Sequence, residues 1–152
     1  MKKQKVVTLI IGILVGVLTA FLLVSCIEDE FNPNLIRNFT IPASNGATYA
    51  IEVALPEDYH SSAEKYSTVY VLDGEENFDF VATQCKEIAD RNSAQNVLVV
   101  SIGYGNDRSI DYTPTKVGAN TGGGAQFMEF IETELIPRIE QDFRAETSRS
   151  SR

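Results

Sequence analysis

"STVYVLDGEENF", Ser67 to Phe78, decides how the rest of the chain is read. Ser67 to Leu72 is a β-branched, apolar run with no polar face, which predicts a strand covered on both sides. It stops abruptly on Asp73-Gly74-Glu75-Glu76, three carboxylates around a glycine. A helix is expected from about Phe78 to Arg91, with Asn92-Ser93 as its break. "NVLVVSI", Asn96 to Ile102, then reads as a second fully buried strand. Two continuous apolar strands joined by a helix make a parallel βαβ unit, and the fold class is α/β.

Upstream, Thr48 to Leu55 alternates, with Tyr49, Ile51, Val53 and Leu55 on one face. That is the pattern of a half-buried antiparallel strand. Asn45-Gly46 before it is a strong hairpin turn, and Asn38 to Ser44 supplies the other strand. Pro56 to Lys65 is a polar loop. Its His60, the only histidine of the chain, reads as a surface residue. Downstream, "GYGNDRSIDYTPTKVGANTGGG" (103–124) is a long loop of the kind that carries function. A last helix starts near Ala125, with Phe127, Phe130, Ile131, Leu135, Ile139 and Phe143 along one stripe. Pro137 should kink it or divide it. The tail 147–152 is polar and low in complexity, which predicts disorder rather than a buried strand.

The first 25 residues are unlike the rest. Lys2, Lys3 and Lys5 precede an uncharged run from Val6 to Val24, and small Ser25 stands before Cys26. A basic start, an apolar stretch and a small residue at a cut site make a secretory signal peptide, 1–25. "LVSC" resembles the lipobox of bacterial lipoproteins, in which the cysteine takes diacylglycerol and becomes the new N-terminus. The alternative is an uncleaved anchor, since the run nearly suffices to span a bilayer. Either reading places the protein in the bacterial cell envelope, on the periplasmic or cell-surface side, held to a membrane. Residues 26–37 then form a linker. Its Glu28, Asp29 and Glu30 read as a solvated stretch or resemble the surface-export signal of some Bacteroidetes lipoproteins.

Cleavage would remove three lysines and no acid, taking the formal net charge from −8 to −11. So acidic a domain is a poor candidate for nucleic acid or an anionic membrane surface. With Cys26 lipidated, Cys85 has no partner, so no disulfide and no cysteine-rich metal site is expected. Cys85 lies at helical spacing with Phe78, Val81 and Ile88, which predicts a core face and an inert thiol. "TGGG" (121–124) lacks the lysine of a phosphate loop. No metal and no cofactor is expected.

Asp73, Glu75 and Glu76 admit a turn, an acid/base pair or half of a cation site completed by Asp79 or Asp111. Sitting on one loop, they cannot flank a substrate as a glycosidase pair must. Arg108 and Asp111 admit a structural ion pair. Ser109 lacks the G-x-S-x-G surroundings of a nucleophile.

The order of elements resembles the esterase family of the α/β-hydrolase fold. That family takes in ferric-enterobactin esterases, S-formylglutathione hydrolases, feruloyl and acetyl-xylan esterases, and mycolyltransferases. The stretches that carry the resemblance are "YAIEVALPEDY" (49–59), "KYSTVYVLDGEENF" (65–78), "VLVVSIGYGNDRSIDYTPT" (97–115) and "GGGAQFMEFIETELIPRIEQDF" (122–143). The resemblance implies that the loop after the Leu-Asp-Gly strand lends a backbone N–H to the oxyanion hole. By position that donor is Glu75, after Gly74, and Asp73 braces the loop. It further implies that Arg108, Asp111 and Tyr112 line or brace the substrate cleft. The substrate would be a small-molecule or glycan ester.

Such catalysis needs a serine elbow, then an acid, then a histidine. "TSRSSR" stands where the elbow segment is expected. The domain (38–146) therefore reads as an incomplete α/β-hydrolase sheet, truncated before the nucleophile strand and inactive as it stands. The alternative is a lipoprotein binding module that uses the same cleft loops without hydrolysis.

Overall fold

The computed structural model describes residues 32–152. The expected signal peptide (1–25), Cys26 and the acidic residues after it lie outside the described residues. After a short 3₁₀ turn at Pro33–Leu35, strand β1 (Ile36–Pro42) starts two residues before the sequence pattern suggests. It pairs antiparallel with β2 (Thr48–Ala54) through a hairpin whose Gly46 takes φ 86°. Asn45 closes that turn by accepting from the Ala47 amide at 2.9 Å. Strand β3 (Thr68–Val71), helix α1 (Gly74–Asn92) and strand β4 (Leu98–Ile102) follow, with β3 and β4 parallel. The four-stranded sheet runs β1-β2-β4-β3.

The two faces of this sheet are covered by different helices. Tyr49, Ile51 and Val53 of β2, and Leu55 just after it, are all buried, on the face that also holds Leu98, Val100 and Ile102. Against them pack Phe127, Phe130, Leu135 and Ile139 from the last helical segment. The opposite face puts Ala54, Val71 and Val99 under Phe78 and Ala82 of α1. Strand β4 is buried at every position, as its unbroken apolar run predicts.

Strand β3 departs from the expectation of full cover. It lies at the sheet edge, Val69 and Tyr70 are only half-buried, and Leu72 is 45% exposed. The core face of α1 also differs. It runs through Gly74, Phe78, Ala82 and Ala89, with Val81 and Cys85 at its margin, while Ile88 is 55% exposed. Phe78 and Ala82 meet the sheet, with Val81 and Cys85 packed beside them.

The last helix is divided as Pro137 predicts, by a π turn. Helix α3 (Gly124–Phe130) passes into a π segment (Ile131–Leu135) and then α4 (Ile136–Asp142). Buried Phe130 and Leu135 stand five residues apart, a step that no α-helix keeps on one face and that one π turn restores. After α4 the chain touches the free edge of β3. Tyr66 and Ala145 form a parallel bridge, in which the Tyr66 amide donates to Arg144 O (2.8 Å) and the Glu146 amide to Tyr66 O (2.9 Å). The tail then folds into a 3₁₀ turn at Arg149–Ser151.

Candidate active site

Strand β3 hands over to α1 within two residues, and Asp73 takes the left-handed conformation (φ 52°, ψ 47°) to make the turn. Aspartate is among the few residues that tolerate this region. Its carboxylate is gripped from one side. Arg108 donates through Nε to Oδ1 (2.8 Å) and through an Nη to Oδ2 (3.0 Å), and the Tyr104 hydroxyl donates to Oδ1 (2.8 Å). The Asp73 amide donates to the Tyr112 hydroxyl at 3.0 Å. The Arg108 guanidinium holds the Asp73 carboxyl down to about 2. In return, that carboxylate pushes the Tyr104 hydroxyl up to about 12 and raises Arg108 further.

The same turn frees two amides. Asp73 O accepts from the Glu76 amide (3.1 Å), the Asn77 amide (3.2 Å) and the Asn77 side chain (3.1 Å). The amides of Gly74 and Glu75 have no acceptor among the described residues. They form the first turn of a 19-residue helix, where the macrodipole adds positive potential. Glu75 and Glu76 sit in that first turn, so the helix starts well before Phe78. Acidic side chains there are favoured by the dipole. Gly74 has no positive φ. A Cβ on it would lie 2.6 Å from Ser101 Oγ and 3.0 Å from the Ile102 amide, so it is the close approach to β4 that demands glycine.

Arg108 and Asp111 open and close the one-turn helix α2 (Arg108–Asp111), capped by Asp107, whose Oδ1 accepts from the Ser109 amide at 2.7 Å. They do not pair with each other, which corrects the ion-pair reading. Arg108 reaches out to Asp73. Asp111 is 3% exposed, and its Oδ1 accepts from the Tyr49 hydroxyl and from Asn106 Nδ2, both at 3.1 Å. Burial pushes the Tyr49 hydroxyl up to about 12. Tyr112 lies beside Phe127 (centroids 5.6 Å apart) with the Arg108 guanidinium 5.1 Å from its ring centre. Next to the turn, Leu72, Tyr112, Pro114, Phe127 and Met128 line an open apolar groove of about 440 Å³, with Asp111 at its wall.

Tyr104 and Tyr49 carry the site and escaped the sequence reading. Tyr104 stands alone between glycines, and Tyr49 is one of four alternating apolar positions from Tyr49 to Leu55. His60 is exposed, edge-on to the Tyr59 ring. Among the described residues, no group of three or more His, Cys, Asp or Glu side chains is placed to hold a metal ion. No helix among them is long and apolar enough to cross a membrane.

An open sheet ordered β1-β2-β4-β3, helices on both faces and free amides at the end of β3 define an α/β-hydrolase fold. Residues 43–151 match the Esterase family, described as "Putative esterase", and the chain belongs to it. No curated protein matches the sequence. Among solved structures, an IroE-like serine hydrolase from Shewanella oneidensis is 32% identical, with a TM-score of 0.64. The match covers 72% of this chain and 39% of that one. The BES protein from Bacillus cereus is 26% identical (TM-score 0.60, 75% and 48% covered). Siderophore hydrolase EstA from Aspergillus nidulans is also 26% identical (TM-score 0.57, 72% and 44% covered). The chain thus spans less than half the length of each of these structures.

Proposed function

We propose that this chain supplies the oxyanion side of a membrane-anchored carboxylic-ester hydrolase. The observation that carries the reading is the Asp73 turn, which leaves the Gly74 and Glu75 amides at a helix N-terminus with no acceptor among the described residues. When an ester is attacked, its carbonyl oxygen takes on negative charge. A fixed amide about 2.7–3.1 Å from that oxygen stabilises the transition state more than the ground state. The Asp73 clamp holds the donor in place beforehand, so no reorganisation accompanies the reaction.

The nucleophile, acid and histidine lie outside the 152 residues on this reading, since no Gly-x-Ser-x-Gly occurs among them. Support comes from the Tyr66–Ala145 bridge. A strand continued in that parallel register passes Thr68 and Tyr70 and leaves the sheet beside Leu72, next to the free amides. That is where an attacking hydroxyl is needed. The 152 residues alone then turn over no ester. Esters of a siderophore or of a cell-wall or plant polysaccharide are the proposed substrates, a reading supported by relatives described as siderophore hydrolases and a ferulic acid esterase.

The test begins with the gene beyond codon 152. A Gly-x-Ser-x-Gly, then an acid, then a histidine in frame would complete the triad. The continued protein should then hydrolyse aryl esters, and Glu75→Pro, which deletes the amide proton, should lower kcat by about 10²–10³-fold. A stop with no such motif downstream would overturn the hydrolase reading and leave a binding module. The anchor is tested separately: labelling by radioactive palmitate should vanish in Cys26→Ser.

A further inference from the structure

We infer that Tyr49 and Asp111 position the oxyanion turn from behind, through α2, although neither touches it. The inference rests on the hydrolase reading above for its catalytic meaning, and on this geometry for its existence. Tyr49 is a fixed point. It sits mid-strand on β2, fully buried, stacked on Phe130 at 4.2 Å between centroids and tilted against Phe127 at 5.4 Å. Its hydroxyl accepts from Asn45 Nδ2 (3.0 Å) and donates to Asp111 Oδ1 (3.1 Å).

Asp111 passes that fixed point on to the loop. Its Oδ1 also accepts from Asn106, so one oxygen ties the segment entering α2 to the residue that ends it. Gly105 lies flat on the Tyr49 ring, with room for no Cβ: one would stand 2.6 Å from the ring carbons. A helix of one turn cannot hold its own shape. Here β2 holds it.

Two residues of this segment grip Asp73. Arg108 starts α2 and Tyr112 follows it directly. The first takes the Asp73 carboxylate and the second receives the Asp73 amide. The path therefore runs from β2 to Asp111, to α2, to Arg108 and Tyr112, and so to the backbone that aims the Gly74 and Glu75 amides. Asp111 is thus a positioning residue in the wall of the groove. Two hydrogen bonds from neutral donors do little more than offset the burial of so polar a side chain. Fixing the loop is what the arrangement gains.

The experiment uses the whole 152-residue chain and two readouts at Asp73: the carboxyl titration by carbon NMR and the exchange rate of its amide. Tyr49→Phe keeps the ring stack and loses only the hydroxyl, and Asp111→Leu removes the acceptor. Both should move the Asp73 titration up toward the ordinary carboxylate range and speed its amide exchange about tenfold. Asp111→Asn keeps an acceptor oxygen and should stay close to wild type at both. Ile139→Val, a core change remote from the loop, serves as the stability control.

The inference is overturned if Tyr49→Phe lowers Tm like the control yet leaves both Asp73 readouts unchanged. Should Asp111→Leu fail to fold, Tyr49→Phe decides alone. Neither readout involves an ester, so the strut stands or falls apart from the Glu75→Pro result.

Discussion

Replacing Asp73 by Asn isolates the charge at the turn, because asparagine also tolerates the left-handed conformation that Asp73 holds (φ 52°). The carboxyl is held down from 3.8 to about 2, chiefly by Arg108. At about 1.4 kcal/mol per unit, such a shift is equivalent to roughly 2.5 kcal/mol in a fully sequestered pair. The Arg108 side chain is 61% exposed, however, so solvent screening reduces the expected loss to about 1 kcal/mol. The sign follows from the depressed value. The stabilisation is complete above the unfolded pKa near 4 and fades as pH falls through about 2. Urea unfolding of wild type and Asp73→Asn at pH 7 and at pH 2.5 should therefore give a stability gap near 1 kcal/mol that shrinks to less than half. Other carboxylates titrate in both proteins and cancel in the difference. Asp73→Ala should lose about 1 kcal/mol more, because alanine lacks the short polar side chain that eases the left-handed conformation, and Asp73→Gly, which has no β-carbon, should recover that part. An Asn variant with an equal loss at both pH values would refute the charge argument.

Gly74→Ala should cost about 1–3 kcal/mol by pressing a methyl onto Ser101 and the β4 backbone, and Ser101→Gly should rescue part of it in thermal melts. Cys85, half-buried and with its thiol raised by desolvation, should react with iodoacetamide more slowly at pH 7 than an exposed cysteine, and faster as pH climbs. A rate at pH 7 equal to that of free thiol would place it outside the helix–sheet margin. Glu134 accepts from the Ser44 amide (3.1 Å) and hydroxyl (2.7 Å), tying the β1–β2 hairpin to the π segment. Glu134→Ala should cost about 0.5–1.5 kcal/mol, read as a lower urea midpoint with an unchanged m-value.

What the sequence disclosed was whatever depends on near neighbours. The alternation of Thr48 to Leu55, the Asn45-Gly46 turn and the two apolar runs around α1 each state their own conformation. The five-residue step from Phe130 to Leu135 is equally visible along the chain, yet only the packed helix shows that a π turn absorbs it. Partners distant in the chain were not legible. Nothing near Arg108 says that it reaches Asp73, 35 residues back, rather than Asp111, three residues on. Nor does Tyr49 announce that its hydroxyl meets a carboxylate 62 residues ahead. The core face of α1 was misjudged for a related reason. Periodicity marks where apolar residues recur, whereas the placing of the helix on the sheet leaves Ala82 and Ala89 buried and Ile88 exposed.

The exposed edge of β3 and the braced turn at its end belong to one argument. A strand at a sheet edge presents unpaired backbone groups that invite another strand. Here the invitation is half taken up. Arg144 to Glu146 begin a parallel pairing at Tyr66, and the hydroxyl of Thr68, 3% exposed, has no partner among the described residues. Past Glu146 the residues are Thr, Ser and Arg, whose side chains gain little on a half-apolar surface, and the chain turns aside into a 3₁₀ turn. An apolar, β-branched segment in the same register would instead run the length of β3 and end at Leu72. The Asp73 turn, meanwhile, needs nothing from that neighbour for its shape: Asp73, Arg108, Tyr104 and Tyr112 all lie within residues already folded. Shape and reactivity are thereby separated. On the hydrolase reading proposed above, the Gly74 and Glu75 amides would stand ready on the near side of the sheet edge before any nucleophile came to Leu72.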